Sequence, residues 1–140
     1  MAIEFHYEGE FKLESERKYI YWLNRVLESE GKAAGILSYV FCDDEYLAQV
    51  NLKYLGHDAY TDIITFDYSE NDEIVGDIFV SYQRVAENAD TFEVAFVEEL
   101  RRVMVHGVLH LVGYDDKNKQ QQSVMRRKEE EKMKMFHVEH

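Results

Sequence analysis

His106 and His110 stand four residues apart in the run His106-Gly107-Val108-Leu109-His110-Leu111-Val112-Gly113-Tyr114-Asp115-Asp116. On a helix, positions four apart differ in direction by about 40°, so the two imidazoles share a face and converge on one point. Gly113 follows three residues after the second histidine, where a positive φ can end the helix and reverse the chain, and Asp116 arrives three residues later. The pattern His-x-x-x-His-x-x-Gly-x-x-Asp has the spacing of the extended metzincin motif, with aspartate as third ligand. Two neutral imidazoles and one carboxylate around Zn²⁺ leave a fourth position for water, the arrangement of a catalytic site rather than a closed structural one. For the histidine pair alone, a satisfied structural pair is the competing reading. The glycine turn and the carboxylate that follows it favour metal, with Asp115 as rival to Asp116 for the third place.

One residue is missing from the peptidase version of this helix. Metalloproteases carry glutamate directly after the first histidine as general base, and this chain has Gly107 there. Peptide hydrolysis is therefore not expected, although a bound Zn²⁺ can lower the pKa of its water without that glutamate.

Elements must exist to position these groups, and the chain is built to supply them. With 140 residues, 46% apolar content and 14% aromatics, it suits one compact domain with a sizeable core. Ile3, Phe5 and Tyr7 alternate as a first strand, interrupted at Gly9. Tyr19, Leu23, Val26 and Leu27 recur at helical spacing and predict a helix from about Glu16 to Glu30, closed near Gly31. Ile36 to Cys42 reads as a second strand, and Asp43 as the cap of a helix carrying Tyr46, Leu47, Val50 and Tyr54 to a stop at Gly56. Ile63 to Phe66 and Ile74 to Val80 are the next strands, joined by an acidic turn over 69–73. Ser81 caps a short helix to Ala89, and Asp90 with Glu93 reads as a capping box for the long helix that bears the histidines. Val94, Val97, Leu100, Met104, Val108 and Leu111 give that helix a broad apolar stripe, so it should cross the sheet as the central core helix. A last, charged helix from about Asn118 to Phe136 has only Met125, Met133 and Phe136 on one side, and its end is expected to fray. The expected class is α+β: about four strands in a mixed sheet against a central metal-binding helix and its neighbours.

The histidine segment resembles the YbeY family of bacterial rRNA maturation factors. The family signature His-Gly-x-Leu-His-Leu-x-Gly-Tyr-Asp-His is matched from His106 to Asp115 and departs only at Asp116, where the family has a third histidine. A second block, Thr-Asp-Val-Leu-Ser-Phe, appears as Thr61-Asp62-Ile63-Ile64-Thr65-Phe66, and a third as Gly76-Asp77-Ile78 followed by Ser81. The blocks keep family order over about residues 60 to 120. What the resemblance implies is a single metal-dependent hydrolase domain over 1–140, one Zn²⁺ at His106, His110 and Asp116, and cleavage of single-stranded RNA. It also implies work in 16S rRNA 3′-end maturation and ribosome quality control, with rRNA and the ribosomal particle or its proteins as partners. Asp115 matches the aspartate that the family retains beside its third histidine and reads as a turn acceptor or a support for the ligands. Asp62 and Asp77 match family positions and read as turn or cap acceptors, with support of the ligands as the alternative.

Three departures bear on that expectation. Aspartate in place of the third histidine lowers the charge of a filled site and admits harder ions such as Mn²⁺. Leu55 takes the place of a family arginine suited to phosphate, and neither Lys53 nor His57 reproduces a guanidinium fork. Tyr60 replaces a proline, which changes loop rigidity more than chemistry.

Lys and Arg number 16 against 28 Asp and Glu, a formal net charge of -12, so the overall field repels phosphates and RNA must be met by a local patch or through a larger particle. Arg101, Arg102, Lys117 and Lys119 flank the ligand segment and are the candidates for such a patch; exposed helix faces are the competing account. Tyr114 either stacks on a base or covers the core. The single cysteine, Cys42, has no partner for an intrachain disulfide, and residues 1–15 hold carboxylates without a long apolar run. A cytoplasmic protein with neither membrane nor DNA partners is expected. Two other functions stay open: a ribosome-associated binding protein whose metal is structural, and a small-molecule metallohydrolase.

Overall fold

The computed structural model describes residues 2–57 and 60–138. Four strands form one mixed sheet: β1 (Ile3–Glu8), β2 (Ala33–Cys42), β3 (Ile63–Asp67) and β4 (Glu73–Ser81), in the order β1-β2-β4-β3. β1, β2 and β4 run parallel, and β3 pairs antiparallel with β4 along one edge. β2 starts three residues earlier than its apolar run suggests. Gly35 and Ile36 sit in a register shift between Ala34 and Leu37, and a side chain at Gly35 would strike Val75, so the extra turn of strand depends on that glycine.

Strand alternation sorts the sheet into two faces. Ile3, Leu37, Tyr39, Phe41, Ile78 and Val80 point to the main core, beneath α1 (Glu16–Ser29) and α4 (Phe96–Val112). The other face carries a smaller cluster of Cys42, Leu47, Val50 and Ile64, under α2 (Asp44–Val50) and a π-helical turn over Asn51–Leu55. The expected helix up to Gly56 is thus split, and Gly56 ends it in the left-handed region at φ 70°.

α4 is the central helix, as its stripe requires. It can lie this close to the sheet because of two glycines: a Cβ on Gly107 would come within 2.9 Å of Ile63 Cδ1, and one on Gly76 within 3.1 Å of Leu111 Cδ1. Tyr39, fully buried, donates its hydroxyl to the Met104 carbonyl at 2.8 Å and fixes the helix along the sheet.

The expected capping box at Asp90 and Glu93 does not form. α3 (Tyr82–Phe92) runs past Ala89, Glu93 turns left-handed at φ 57°, and the amides of Glu93 and Val94 return to the carbonyls of Asp90 and Ala89. These residues close one helix rather than open the next, and α4 begins at Phe96.

The last helix also departs from expectation. α5 (Lys119–Lys134) is capped by Asn118, whose side chain accepts from the Gln121 amide, and a 3₁₀ turn over Met135–Val138 continues it. Its inner stripe is Met125, Glu129, Lys132 and Phe136, so half of what it buries is charged. Instead of fraying at Phe136, the helix seats that ring edge-on against Tyr19 and Trp22, at 5.0 and 5.2 Å. Trp22 donates to the Lys132 carbonyl at 2.8 Å.

Glu30, just past α1, ties three elements together. Its carboxylate accepts from Tyr114 Oη at 2.7 Å and from Lys128 Nζ at 3.2 Å, and lies 2.8 Å from the buried Lys132 Nζ. Burial pushes the Glu30 carboxyl upward, but hydrogen bonds from Lys132, Tyr114 and Lys128 outweigh it and bring the pKa from 4.5 down to about 2. A carboxylate depressed on folding stabilises above its unfolded value and loses that contribution as pH falls through the folded one. Glu30→Gln should therefore cost about 2–3 kcal/mol at neutral pH. In paired thermal melts the gap between wild type and variant should begin to close below pH 4.5 and be nearly gone near pH 2. A gap independent of pH would show that the carboxylate's charge is not what anchors the three elements.

Candidate metal centre

α4 brings His106 and His110 to one side with their rings 4.5 Å apart and nearly perpendicular. Gly113, at φ 126°, then ends the helix: its amide bonds to the His110 carbonyl at 3.1 Å and that of Tyr114 to the Leu109 carbonyl at 2.9 Å. This reversal carries Asp116 back over the histidines. The Nε2 atoms lie 3.0 Å apart, and Asp116 Oδ2 is 3.5 Å from each. Asp115 is exposed and stays outside the group.

Hydrogen bonding on the far side of each ring decides what the Nε2 atoms can do. His106 Nδ1 lies 2.6 Å from Glu129 Oε2, and His110 Nδ1 lies 2.9 Å from the Tyr114 carbonyl oxygen. A carboxylate and a carbonyl only accept, so both Nδ1 atoms carry a proton, and in the neutral form of each ring Nε2 is the lone-pair donor that faces the other. Two such lone pairs 3.0 Å apart repel unless a proton or a metal ion lies between them. With Zn–N bonds of about 2.0–2.1 Å, a tetrahedral ion has donor–donor edges of about 3.3 Å. The edges here, 3.0, 3.5 and 3.5 Å, match that triangle. His106, His110 and Asp116 thus form a group that can hold a metal ion.

The support behind the ligands is a buried ionic chain. Arg102 donates to both carboxylate oxygens of Glu99 and, at 3.1 Å, to Glu129 Oε1; Glu129's other oxygen meets His106. Glu99 and Glu129 are each only 2% exposed. Burial pushes the Glu129 carboxyl upward, but the hydrogen bond from His106 and the Arg102 charge more than offset this and hold it below the ordinary glutamate value. The pairing with Glu99 raises the Arg102 pKa further. Two glutamates and Asp116 against one arginine leave a double negative excess, which a divalent cation at the three donors would neutralise.

Glu129 was not singled out in the sequence, yet a signal was present. A glutamate at the i+4 position from a buried Met125 sits on the inner stripe of its helix, where an acid survives only with a partner. Tyr114 has a role different from either one expected for it: its amide caps α4, its carbonyl orients His110, and its hydroxyl is anchored by Glu30.

The remaining candidates separate. Asp62, just before β3, accepts from Asn88 Nδ2 at 3.3 Å; burial lifts its pKa, partly countered by Arg102 and His106, whose field it shares. Asp77 lies on the sheet face that α4 does not cover, by alternation from Gly76 and Ile78, and so is not a support for the ligands. Arg102 is taken up by carboxylates rather than left for phosphate, and Arg101 points to another flank, its guanidinium 3.7 Å from the Phe136 ring centre. Lys53 lies over the Tyr54 ring at 5.2 Å on the π-helical turn, beside the exposed Leu55 and His57. That turn packs on the opposite face of the sheet, and none of the three joins the ligand group. Lys117 and Lys119 are exposed where the ligand loop enters α5. Gly107 faces Ile63 and Ile78, so the position of the peptidase glutamate is buried against the sheet.

The chain matches the family model described as Endoribonuclease YbeY over residues 4–137. It is 54% identical over 136 residues to a protein named Endoribonuclease YbeY from Flavobacterium psychrophilum, covering 97% of each chain. A Flavobacterium johnsoniae protein of the same name is also 54% identical, over 98% of this chain and 99% of its own, and one from Christiangramia forsetii is 51% identical, over 98% and 96%. The solution structure of a Thermotoga maritima protein superposes with a TM-score of 0.66 at 26% identity, covering 94% of this chain and 88% of its own.

Chelator competition with Zn²⁺ or Co²⁺ should rank the ligands. Asp116→Ala should weaken binding sharply, Asp116→His should keep or tighten it, and Asp115→Ala should leave it unchanged. Glu129→Gln should weaken it about tenfold by removing the charged partner of His106. Binding that survives Asp116→Ala but not Asp115→Ala would reverse the assignment of the third donor.

Proposed function

The chain belongs to the YbeY endoribonuclease family, and from that membership we propose that it is a zinc-dependent endoribonuclease that cuts single-stranded RNA. Its setting is 16S rRNA 3′-end maturation and ribosome quality control in the cytoplasm, with rRNA and the ribosomal particle as partners. The observation that carries the reading is the convergence of two Nε2 lone pairs and Asp116 Oδ2 on one point, each histidine locked in the required tautomer from behind. One Zn²⁺ per chain suits this nitrogen and oxygen set, and Mn²⁺ is the alternative. A divalent ion held there supplies Lewis-acid activation of water and of a phosphate oxygen.

The chain's own residues supply the rest. Glu129 keeps the His106 proton on Nδ1, and Tyr114 does the same for His110 through its carbonyl. Because Gly107 faces the sheet, the proton acceptor comes from outside α4. Asp62, held by Asn88 in the field of His106, is the carboxylate we assign to it. Lys117 and Lys119 hold strand phosphates beside the ligand loop, a local patch on a chain whose net charge of -12 opposes RNA elsewhere. No described helix is long and apolar enough to cross a membrane.

The test is a cleavage time course on single-stranded RNA and on precursor ribosomal particles, with metal content measured for each protein. Metal-loaded wild type should cut, His110→Ala should fall by about a hundredfold or more with its metal lost, and Asp62→Asn should be slow while retaining metal. If metal-loaded wild type cuts neither substrate above the His110→Ala background yet binds the particles specifically, the chain is a ribosome-associated binding protein and not a nuclease.

A further inference from the structure

On another flank of α4, a cavity of about 380 Å³ opens between the segment before α1, the start of α4 and the end of α5. Along α4, Arg101 precedes His106 by five residues, about 140° around the axis, so this cavity does not open beside the ligands. Its walls combine two features that are rarely left without purpose. Phe11 and Phe96, half-buried and 5.8 Å apart, form one side, and the rings of Tyr19 and Phe136 close the floor. Arg101 lies in that floor with its guanidinium over Phe136, 3.7 Å from the ring centre, and its Nε is the one buried side-chain nitrogen or oxygen among the described residues that has no hydrogen-bond partner. Lys12 and Lys18 stand at the rim, and Glu14 is the single acidic residue lining the cavity.

Acids outnumber bases 28 to 16, and Arg84, Arg102, Lys32, Lys128 and Lys132 are taken up in ion pairs. Among the described residues, the side chains of Arg101, Lys12 and Lys18 form neither ion pair nor hydrogen bond. Arg101 is half-buried: its Nε is shielded and unpaired, while its terminal nitrogens are not buried and are the donors that an incoming acceptor would meet. Three cations against one acid suit a dianion better than a monocarboxylate. The aromatic side accepts a flat ring, and the cavity volume lies in the range that holds a small ligand.

We propose that this cavity is a second binding site, apart from the metal centre, for a nucleotide unit. The phosphate lies on Arg101, Lys12 and Lys18, and the base stacks on Phe11 and Phe96. The unit is either a free mononucleotide or one nucleotide of an RNA strand. Stacking of a base on an aromatic ring and charge-assisted hydrogen bonds to guanidinium are the two interactions that recognise this chemistry.

Trp22, the single tryptophan, stands 6.1 Å from Tyr19 and 5.2 Å from Phe136 and serves as a fluorescent reporter beneath the site. AMP titrated into full-length, zinc-loaded protein should give a saturable change. Arg101→Met should weaken it by about tenfold or more, and Lys12→Met/Lys18→Met, at exposed positions that leave the core intact, should weaken it less and in a salt-sensitive way. His110→Ala should bind AMP as wild type does. A pentanucleotide on the His110→Ala background, where the strand is not cut, identifies the source: tighter binding than AMP with the same variant sensitivity means the strand, and equal binding means the free nucleotide. The proposal fails if AMP does not saturate, if inorganic phosphate binds as tightly as AMP, if the arginine and lysine variants bind unchanged, or if His110→Ala alone abolishes binding.

Discussion

A carboxylate removed from water must find a positive partner or give up its charge, and this molecule is arranged around two that do neither alone. Glu99 on α4 and Glu129 on α5 share the guanidinium of Arg102, and Glu129 uses its remaining oxygen on His106. This sharing makes α5, a weakly apolar helix, a necessary partner of α4, because it delivers the acid that α4's arginine and histidine need. It also fixes the His106 ring before any ligand arrives. The charge left over suits the three-donor group to a divalent ion, so one electrostatic arrangement serves both the packing of α5 on α4 and a group that can hold a metal.

The same logic runs through the loop. An aspartate side chain is short, so Asp116 can meet two imidazoles only if its backbone is drawn close. Gly113 turns the chain, but a glycine turn alone is soft. Tyr114 stiffens it, with its amide on α4, its carbonyl on His110 and its hydroxyl on Glu30. Glu30 in turn is held by Lys128 and Lys132 from α5. Each ligand is therefore positioned by residues that are distant in sequence, and α5 takes part in both supports.

What was legible in the sequence and what was not divides along that line. The histidine pair, the glycine turn and the run of strands and helices all follow from spacings within a dozen residues, while preferring Asp116 to Asp115 took the family resemblance as well. The ends of α1 at Gly31 and of α4 at Gly113 were readable because a glycine's freedom at positive φ is a local property. Glu129, Glu30 and Lys132 were not, since their meaning lies in partners 23 to 103 residues away. Arg102 misled for the same reason: it resembles a phosphate contact until Glu99 and Glu129 are seen to enclose it. The segment 90–93 misled differently, since an acid three residues before a glutamate is compatible with opening a helix or closing one. The backbone chose closure.

Gly107 also limits where this helix can go in evolution. It occupies the place where a metallopeptidase carries its general base, yet the path from glycine to glutamate here is not a small step. The position looks into Ile63 and Ile78, and even a methyl group would press on both. A glutamate would have to displace a strand before it could reach a substrate. The two kinds of histidine helix, alike in ligand spacing, are thus separated by a barrier of packing rather than of chemistry. A lineage that presses this helix flat against its sheet keeps its metal ligands but gives up the option of recruiting a base from the helix itself.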